Sequence, residues 1–384
     1  MADPLMADVL IIGGGIVGAS AALALRKRGA SVVLLERDLC GSRSSGVNYG
    51  GVRRQGRAFG QLPLAQRAHR IWQDLPRLLG TDGEYVRSGH LKLARTAADM
   101  AKLEQYRDGA RAYGLMLELI DPAGLRARFP WLGAGLAGAS LSPEDGQANP
   151  RLVSPAFARA AAAAGAEIRE HEEVVHIDHT PGGFVASTAS GLTVRAANLL
   201  NCAGAWAGPL AARFGDAVPL TQGHPAMAVT EPLPGFLPQS LGMEGGDIYC
   251  RQVARGNVVF GGGRVEPGEG GPQAIRSTSA ALFRQMRSLV QLIPRLAHAQ
   301  VIRTWSGVEG YLPDRQPVLC ASPAMPGLFH GFGFSGAGFE IGPAAGEVLA
   351  ELVLDGTTST PIETFDLRRF QPAVPSTTCQ GVHP

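Results

Sequence analysis

Lysine is almost missing from this chain of 384 residues: Lys27, Lys92 and Lys102 are its only three, and every other basic residue is arginine. That imbalance reads as a bias of the coding genome rather than as a binding surface. Excess charge of either sign is missing too. The formal net charge is +2, which gives no electrostatic basis for binding nucleic acid. Cysteine is sparse, and Cys40, Cys202, Cys250, Cys320 and Cys379 are odd in number, with no pair at the spacing of a metal site or redox motif. Free thiols in a reducing compartment, and no metal, are therefore expected. No run approaches 18 uninterrupted apolar residues, so no membrane span is expected. The first strand pattern starts by residue 9, which leaves no room for a basic segment plus an apolar signal core. A cytoplasmic location is the resulting expectation.

Glycine, by contrast, is abundant at 51 residues, and its densest use is the most informative stretch of the chain. Val9–Ile12 is a short apolar run with strand character. Gly13, Gly15 and Gly18 form a G-x-G-x-x-G pattern, and Ala19–Arg28 continues as a helix stopped by Gly29. Ser31–Leu35 is a second apolar strand with Glu36 at its carboxyl end, 23 residues after Gly13. Together these make a complete βαβ unit for binding a dinucleotide. Gly13 permits the tight turn, Gly15 lets backbone approach a pyrophosphate, and Gly18 allows close helix–strand packing, with the helix N-terminus facing the phosphate charge. Glu36 can accept hydrogen bonds from ribose hydroxyls and would repel a 2′-phosphate.

The length exceeds one ordinary core, so two lobes are expected. Later segments continue the nucleotide-binding lobe: a helix over Pro155–Ala164, a strand over Glu167–Ile177, and a strand pair Leu192–Val194 and Asn198–Asn201. A strand from Leu328 then runs into a glycine turn before a helix over Ala344–Leu354. Between them lie stretches of different texture, with short strands at Gly89–Ala94, Ala226–Thr230, Asp247–Arg251 and Asn257–Gly261, and helices at Asp99–Tyr113 and Ser279–Ile293. The alternation predicts a discontinuous cofactor lobe (1–85, 147–215 and 319–366) and an antiparallel substrate lobe inserted in two parts (86–146 and 216–318). Residues 367–384 are expected to form a loosely ordered tail.

Five ordered motifs resemble those of the D-amino-acid oxidase superfamily of flavin-dependent amine and amino-acid oxidoreductases. They are Gly13–Gly18 with Glu36, then Ser44–Arg53, Asn201–Ala207, Trp305–Asp314 with its Pro-Asp pair, and Gly333–Glu340. The stretches through Tyr49, Arg53 and Arg54 and around Glu144–Pro150 are most similar to bacterial D-hydroxyproline dehydrogenase, opine oxidase and sarcosine oxidase subunits. The resemblance implies an α/β Rossmann-like FAD-binding lobe, discontinuous in sequence, plus an α+β substrate lobe with an antiparallel sheet. It implies FAD, held without a covalent bond, because the tethering cysteine of monomeric sarcosine oxidase falls at Gly307. Gly13, Gly15 and Gly18 would meet the pyrophosphate, and Glu36 and Arg37 the adenosine ribose. Ser44 and Ser45 would reach the phosphates, and Tyr49, Gly50 and Gly51 would lie under the isoalloxazine ring. Val174 would meet the adenine. Ala203, Gly204 and Trp206 belong with the cofactor residues, and Ser335, Gly336, Gly338 and Phe339 would run along the pyrimidine edge.

The chemistry implied is hydride loss from the carbon bearing a neutral amine, with the protein supplying orientation and charge complementarity. Arg53, and with it Arg54, could clamp a substrate carboxylate. Tyr249 and Arg251 match a strand that floors the substrate pocket. His224 could face the flavin or the amine, whereas His330 reads as structural. Arg264 roughly aligns with an oxygen-activating lysine of the sarcosine oxidase branch, and a fixed charge there would stabilise developing superoxide. Two family anchors for the substrate carboxylate are replaced by acids, at Glu309 and Glu340. The expected substrate is a small amino acid, best a D-amino or cyclic secondary acid such as D-proline or D-hydroxyproline, with oxygen, a quinone or a partner subunit as electron acceptor. The alternatives are sarcosine, glycine or an opine as substrate, or a flavin subunit of a hetero-oligomeric dehydrogenase that is inactive alone.

Overall fold

In the computed structural model, which describes residues 3–263 and 279–371, the first apolar run forms strand β1 (Leu5–Ile12). The glycine turn leads into helix α1 (Ile16–Lys27) and back to strand β2 (Val32–Leu35). β1 and β2 pair in parallel, with Val9 opposite Val32. The sheet runs in the order Val318–Ala321, Leu328–Phe332, Thr193–Asn201, β1, β2 and Glu167–Arg169. Side chains of β1 alternate between its two faces, as a strand requires. Val9 and Ile11 join a core built with α1, Pro150–Ala163 and Gly338–Asp355. Leu10 joins a second core under an antiparallel meander of Val174–Thr180 and Gly183–Thr188, which extends from Thr193–Asn201.

The second sheet runs Val301–Ser306, Ala226–Pro232, Asn257–Gly261, Tyr249–Gln252, Ser240–Met243, His90–Ala94, Gly138–Ser142 and Glu118–Ile120. Every neighbouring pair is antiparallel except Ser240–Met243 with His90–Ala94, which is parallel. That pair is the seam where the two inserted stretches join into one sheet. The helix Ser279–Leu292 packs Leu289 and Leu292 into its core. Two short ribbons bridge the sheets: Gly51–Val52 with Gly146–Gln147, and Thr221–Gly223 with Glu309–Tyr311.

Five sequence expectations need correction. The helix expected over Pro155–Ala164 begins five residues earlier, at Pro150, and holds Pro155 inside it. The strand expected over Glu167–Ile177 is two, Glu167–Arg169 and Val174–Thr180. Between them His171 adopts φ 61° and its amide bonds the Asp38 carbonyl, so the chain turns from one layer to the next. Leu192–Val194 and Asn198–Asn201 are a single strand, Thr193–Asn201, because Ala196 between them is buried like its apolar neighbours. The last helix begins at Gly338, six residues before Ala344. Its glycines are there for close packing: a Cβ on Gly342 would lie 2.6 Å from Ile16, and one on Gly346 would lie 2.1 Å from Ser20 Oγ. The start of the tail is docked, since Leu367–Phe370 forms a turn with Leu367 fully buried and Arg369 bonded to Asp314. Among the described residues, Cys40, Cys202, Cys250 and Cys320 are buried free thiols, and no helix is long and apolar enough to cross a membrane.

Candidate active site

The parallel strands deliver their carboxyl ends to one place. Ile12, Leu35, Cys202 and Gly333, at or just past four strand ends, all line one cavity of about 1730 Å³ between the two sheets. Open α/β sheets bind ligands at this edge. The volume exceeds the roughly 300–1,000 Å³ of an ordinary small-molecule site, so a long cofactor and a substrate fit together.

The glycines of the first turn divide by what surrounds them. Gly13 has φ +107°, and a Cβ there would meet the Cys202 carbonyl oxygen at 2.4 Å. On Gly18 a Cβ would lie 2.0 Å from the Gly13 carbonyl oxygen; this residue packs helix on strand and does not line the cavity. Gly15, which does line it, caps α1. The Ile16 amide donates to Ser45 Oγ at 3.0 Å, which leaves the Ser45 hydroxyl proton free for an anion. Ser44 lines the cavity while its hydroxyl donates to the Val308 carbonyl. Glu36 accepts from the Gly14 amide at 2.7 Å and the Asp38 amide at 2.9 Å, which fixes its carboxylate at the carboxyl end of β2. Beyond it, Arg37 stacks on the Trp206 ring at 3.8 Å, a cation–π contact. Val174, Ala203 and Gly204 line the same end. These residues fit a dinucleotide: a cradle that any Cβ would fill, a helix N-terminus for phosphate, and an acid for a ribose.

At the other end Tyr49 and Gly51 line the cavity, with the Tyr49 hydroxyl on the Cys250 carbonyl at 2.7 Å. Gly50 does not line it. Its φ is +84°, and a Cβ there would meet the Ala148 carbonyl at 2.3 Å and the Arg251 guanidinium at 2.7 Å. Ser335, Gly336, Gly338 and Phe339 also line the cavity, where Ser335 holds φ +50° and Gly336 +86°.

The candidate substrate residues separate sharply. Arg53 lines the cavity, and its one hydrogen bond among the described residues goes to the Gln55 carbonyl. Burial and the neighbouring Arg57 push its guanidinium down to about 10, so it is still charged near neutral pH, with no acid paired to it among the described residues. Arg54 points the other way, into a buried ion pair with Asp145 at 3.0 Å, and carries no substrate role. Arg251 is likewise removed from the cavity: its Nε donates to the Tyr49 carbonyl at 2.6 Å, so it braces the Tyr49–Gly50 backbone from behind. Tyr249 lines the cavity, edge-on to the Tyr49 ring with centroids 4.9 Å apart. His224 lines it too; among the described residues its Nδ1 is buried without a hydrogen-bond partner, and burial lowers its proton affinity against a backbone contact at Gly307. His330 is a core residue, bonded to Asp216 at 2.9 Å. Arg264 lies outside the described residues.

Sequence reasoning missed His90, Lys92 and Arg57, which also line the cavity. Lys92 pairs with Glu244 at 2.5 Å, and Arg57 pairs with Glu340 at 3.3 Å. Burial pushes the Glu340 carboxyl up while Arg57 pulls it down. The available signal was the rarity of lysine itself: a Lys kept on a strand of an arginine-rich chain needs a local reason.

Parallel strands over a glycine cradle, an acid at the second strand end and a second sheet closing the cavity define a two-lobed oxidoreductase built on a dinucleotide cofactor. The chain matches the FAD dependent oxidoreductase family over residues 8–352 and belongs to it; FAD is its cofactor. It is 29% identical over 372 residues to glycine oxidase of Geobacillus kaustophilus, covering 94% of this chain and 97% of that one. Human mitochondrial sarcosine dehydrogenase is 26% identical over 385 residues, 96% of this chain, but the chain spans only 42% of that protein's length. The crystal structure of L-proline dehydrogenase from P. horikoshii superposes with a TM-score of 0.89 at 27% identity, covering 96% and 98% of the two chains.

Proposed function

We propose that this chain oxidises the C–N bond of a small α-amino acid, with Arg53 as the anchor of the substrate carboxylate. The observation that carries this reading is the state of Arg53: a half-buried cation that opens into the cavity and has no acid paired to it among the described residues. Such a group is costly until an anion pairs with it, and its planar fork suits a carboxylate. Bound FAD supplies the acceptor for the hydride that leaves the carbon bearing the amine. The protein's own part is placement. Arg53 fixes one end of the substrate, the Tyr249 and Tyr49 rings make a floor, and the second sheet excludes water. Relatives named for glycine, sarcosine and L-proline all handle small α-amino acids, which supports the same class here. Within it, cyclic secondary acids such as D-proline and D-hydroxyproline are the finer proposal.

The test is anaerobic bleaching of the flavin by a panel of D- and L-proline, D-hydroxyproline, sarcosine, glycine, D-alanine and opines. One of them should bleach the wild type rapidly. Arg53→Ala should then raise the apparent KM about 10- to 100-fold, as for loss of a charged hydrogen bond of roughly 1.5–3 kcal/mol. An unchanged KM removes Arg53 from the site, and a flavin that no amino acid reduces ends the amino-acid reading for the isolated chain. Admitting air afterwards separates an oxidase from a dehydrogenase.

A further inference from the structure

An acid faces the same cavity as the Arg53 cation. Glu309 lies on the bridging ribbon, opposite Gly223, and lines the cavity half-buried. Its strand is tied to the Gly333–Gly338 turn that also lines the cavity, since the Ser335 amide donates to the Gly310 carbonyl at 3.1 Å. A Cβ on Gly336 in that turn would lie 3.7 Å from Glu309 Oε2. Oε2 accepts from the Tyr311 hydroxyl at 2.7 Å; Oε1 has no partner among the described residues. No cation forms an ion pair with it there, although Arg315 lies within electrostatic reach. Tyr249 stands within electrostatic reach of both Glu309 and Arg53, so an acid and a cation share one aromatic floor and one cavity. A zwitterion has the matching poles.

We infer that Glu309 is the amine-side group of this site, receiving the substrate ammonium on Oε1 and taking its proton. This rests on the amino-acid reading above and adds the step that reading leaves out, because an ammonium has no lone pair to assist hydride departure. The transfer is a simple exchange: the N–H bond breaks, a Glu309 O–H bond forms, and the neutral amine keeps the electron pair. Groups facing Glu309 set its balance. Burial raises the proton affinity of the carboxyl, and the Tyr311 hydroxyl and Arg315 lower it. Tyr249 also faces it, and His224, Asp314 and Glu340 are further titratable side chains that line the same cavity.

Glu309→Gln and Tyr311→Phe test this in the FAD-loaded protein, with the best amino acid of the panel. Flavin reduction by Glu309→Gln should fall about 10²- to 10³-fold at pH 7, within the usual range for a lost general base. It should recover to within about tenfold near pH 10, where roughly a quarter of an amine with the Lys reference value near 10.4 is neutral. Tyr311→Phe removes the donor that favours the ionised form, so its acidic limb should move to higher pH. A readout independent of turnover is binding of tetrahydrofuran-2-carboxylate, which has no ammonium, followed by perturbation of the flavin spectrum. Glu309→Gln should bind it at least as tightly as wild type, because a carboxylate has been removed from the cavity. Wild-type pH profiles in both variants overturn the inference while leaving the amino-acid reading standing. If Glu309→Gln fails to retain FAD, the limb of Tyr311→Phe decides alone. If no amino acid reduces the wild type, both readings fall.

Discussion

Arg53 and Arg54 are adjacent in the chain and opposite in circumstance, one lining the cavity and the other locked on Asp145. Just past the strand Gly51–Val52 the two side chains part, so a pair of like residues can hold one structural and one functional member. His69 shows the same point for a titrating group. It is buried in the helix Leu62–Trp72, and its Nε2 lies 2.8 Å from the Gln73 amide nitrogen. Desolvation first, and the nearby Arg54 second, push the imidazole down to about 4. The unfolded chain, with histidine near 6.5, therefore binds more protons than the folded one between these values. Stability contributed by neutral His69 is fully present above about pH 6.5 and is lost as the pH falls toward 4. Buried His90 carries the same sign. Melting temperature measured against pH should drop through this window, and His69→Gln should flatten part of the drop. Parallel curves for variant and wild type would assign the acid sensitivity elsewhere.

At the level of elements, the glycine turn makes the most demanding prediction. On Gly18 a Cβ would sit 2.0 Å from a backbone carbonyl, which cannot swing aside as a side chain can. Gly18→Ala should lower the ratio of bound flavin to protein at least about tenfold, because the turn and the helix start move together. Gly29→Ala is the control: φ there is +89°, but nothing lies within 4 Å. It should cost about 1 kcal/mol of stability from backbone strain and leave the flavin ratio alone. The same elements show how far the sequence could be read. β1, α1 and β2 were legible because period, turn chemistry and terminal acid are all local. The glycines of the last helix misled, since in sequence a glycine that lets two helices touch looks like one that ends a helix. The convergence of Lys92, His90, Glu309 and Arg53 on one cavity was not legible either. These side chains come from strands and loops up to 256 residues apart in the chain, and only the second sheet and its bridging ribbon bring them together.

At the level of the whole molecule, the two sheets are joined by buried polar contacts as well as by the ribbons. Asp145 is fully buried where the chain leaves the strand Gly138–Ser142 for the bridge Gly146–Gln147. It accepts from Arg54 Nε at 3.0 Å and the Gln55 amide at 3.0 Å, fastening the stretch that follows the first bridge strand. Asp145→Asn leaves the Arg54 charge buried without its counter-ion, which should cost about 3–5 kcal/mol. The double variant Arg54→Met/Asp145→Asn should cost less than the two single changes added together. Denaturant midpoints of the four proteins check this, and strict additivity would mean that the pair is uncoupled.

The strand order of the first sheet also sets a timetable for the nascent chain. β1 is made almost two hundred residues ahead of its neighbour Thr193–Asn201, and that strand in turn awaits Leu328–Phe332. At roughly 5–20 residues per second, translation takes about 15–65 s to complete the set. For roughly the first 10–40 s of that interval at the same rate the edge of β1 away from β2 has no partner, a template for mispairing of the kind chaperones shield. The glycine cradle therefore precedes, by about three hundred residues, the strand Leu328–Phe332 and the turn after it that complete its cavity.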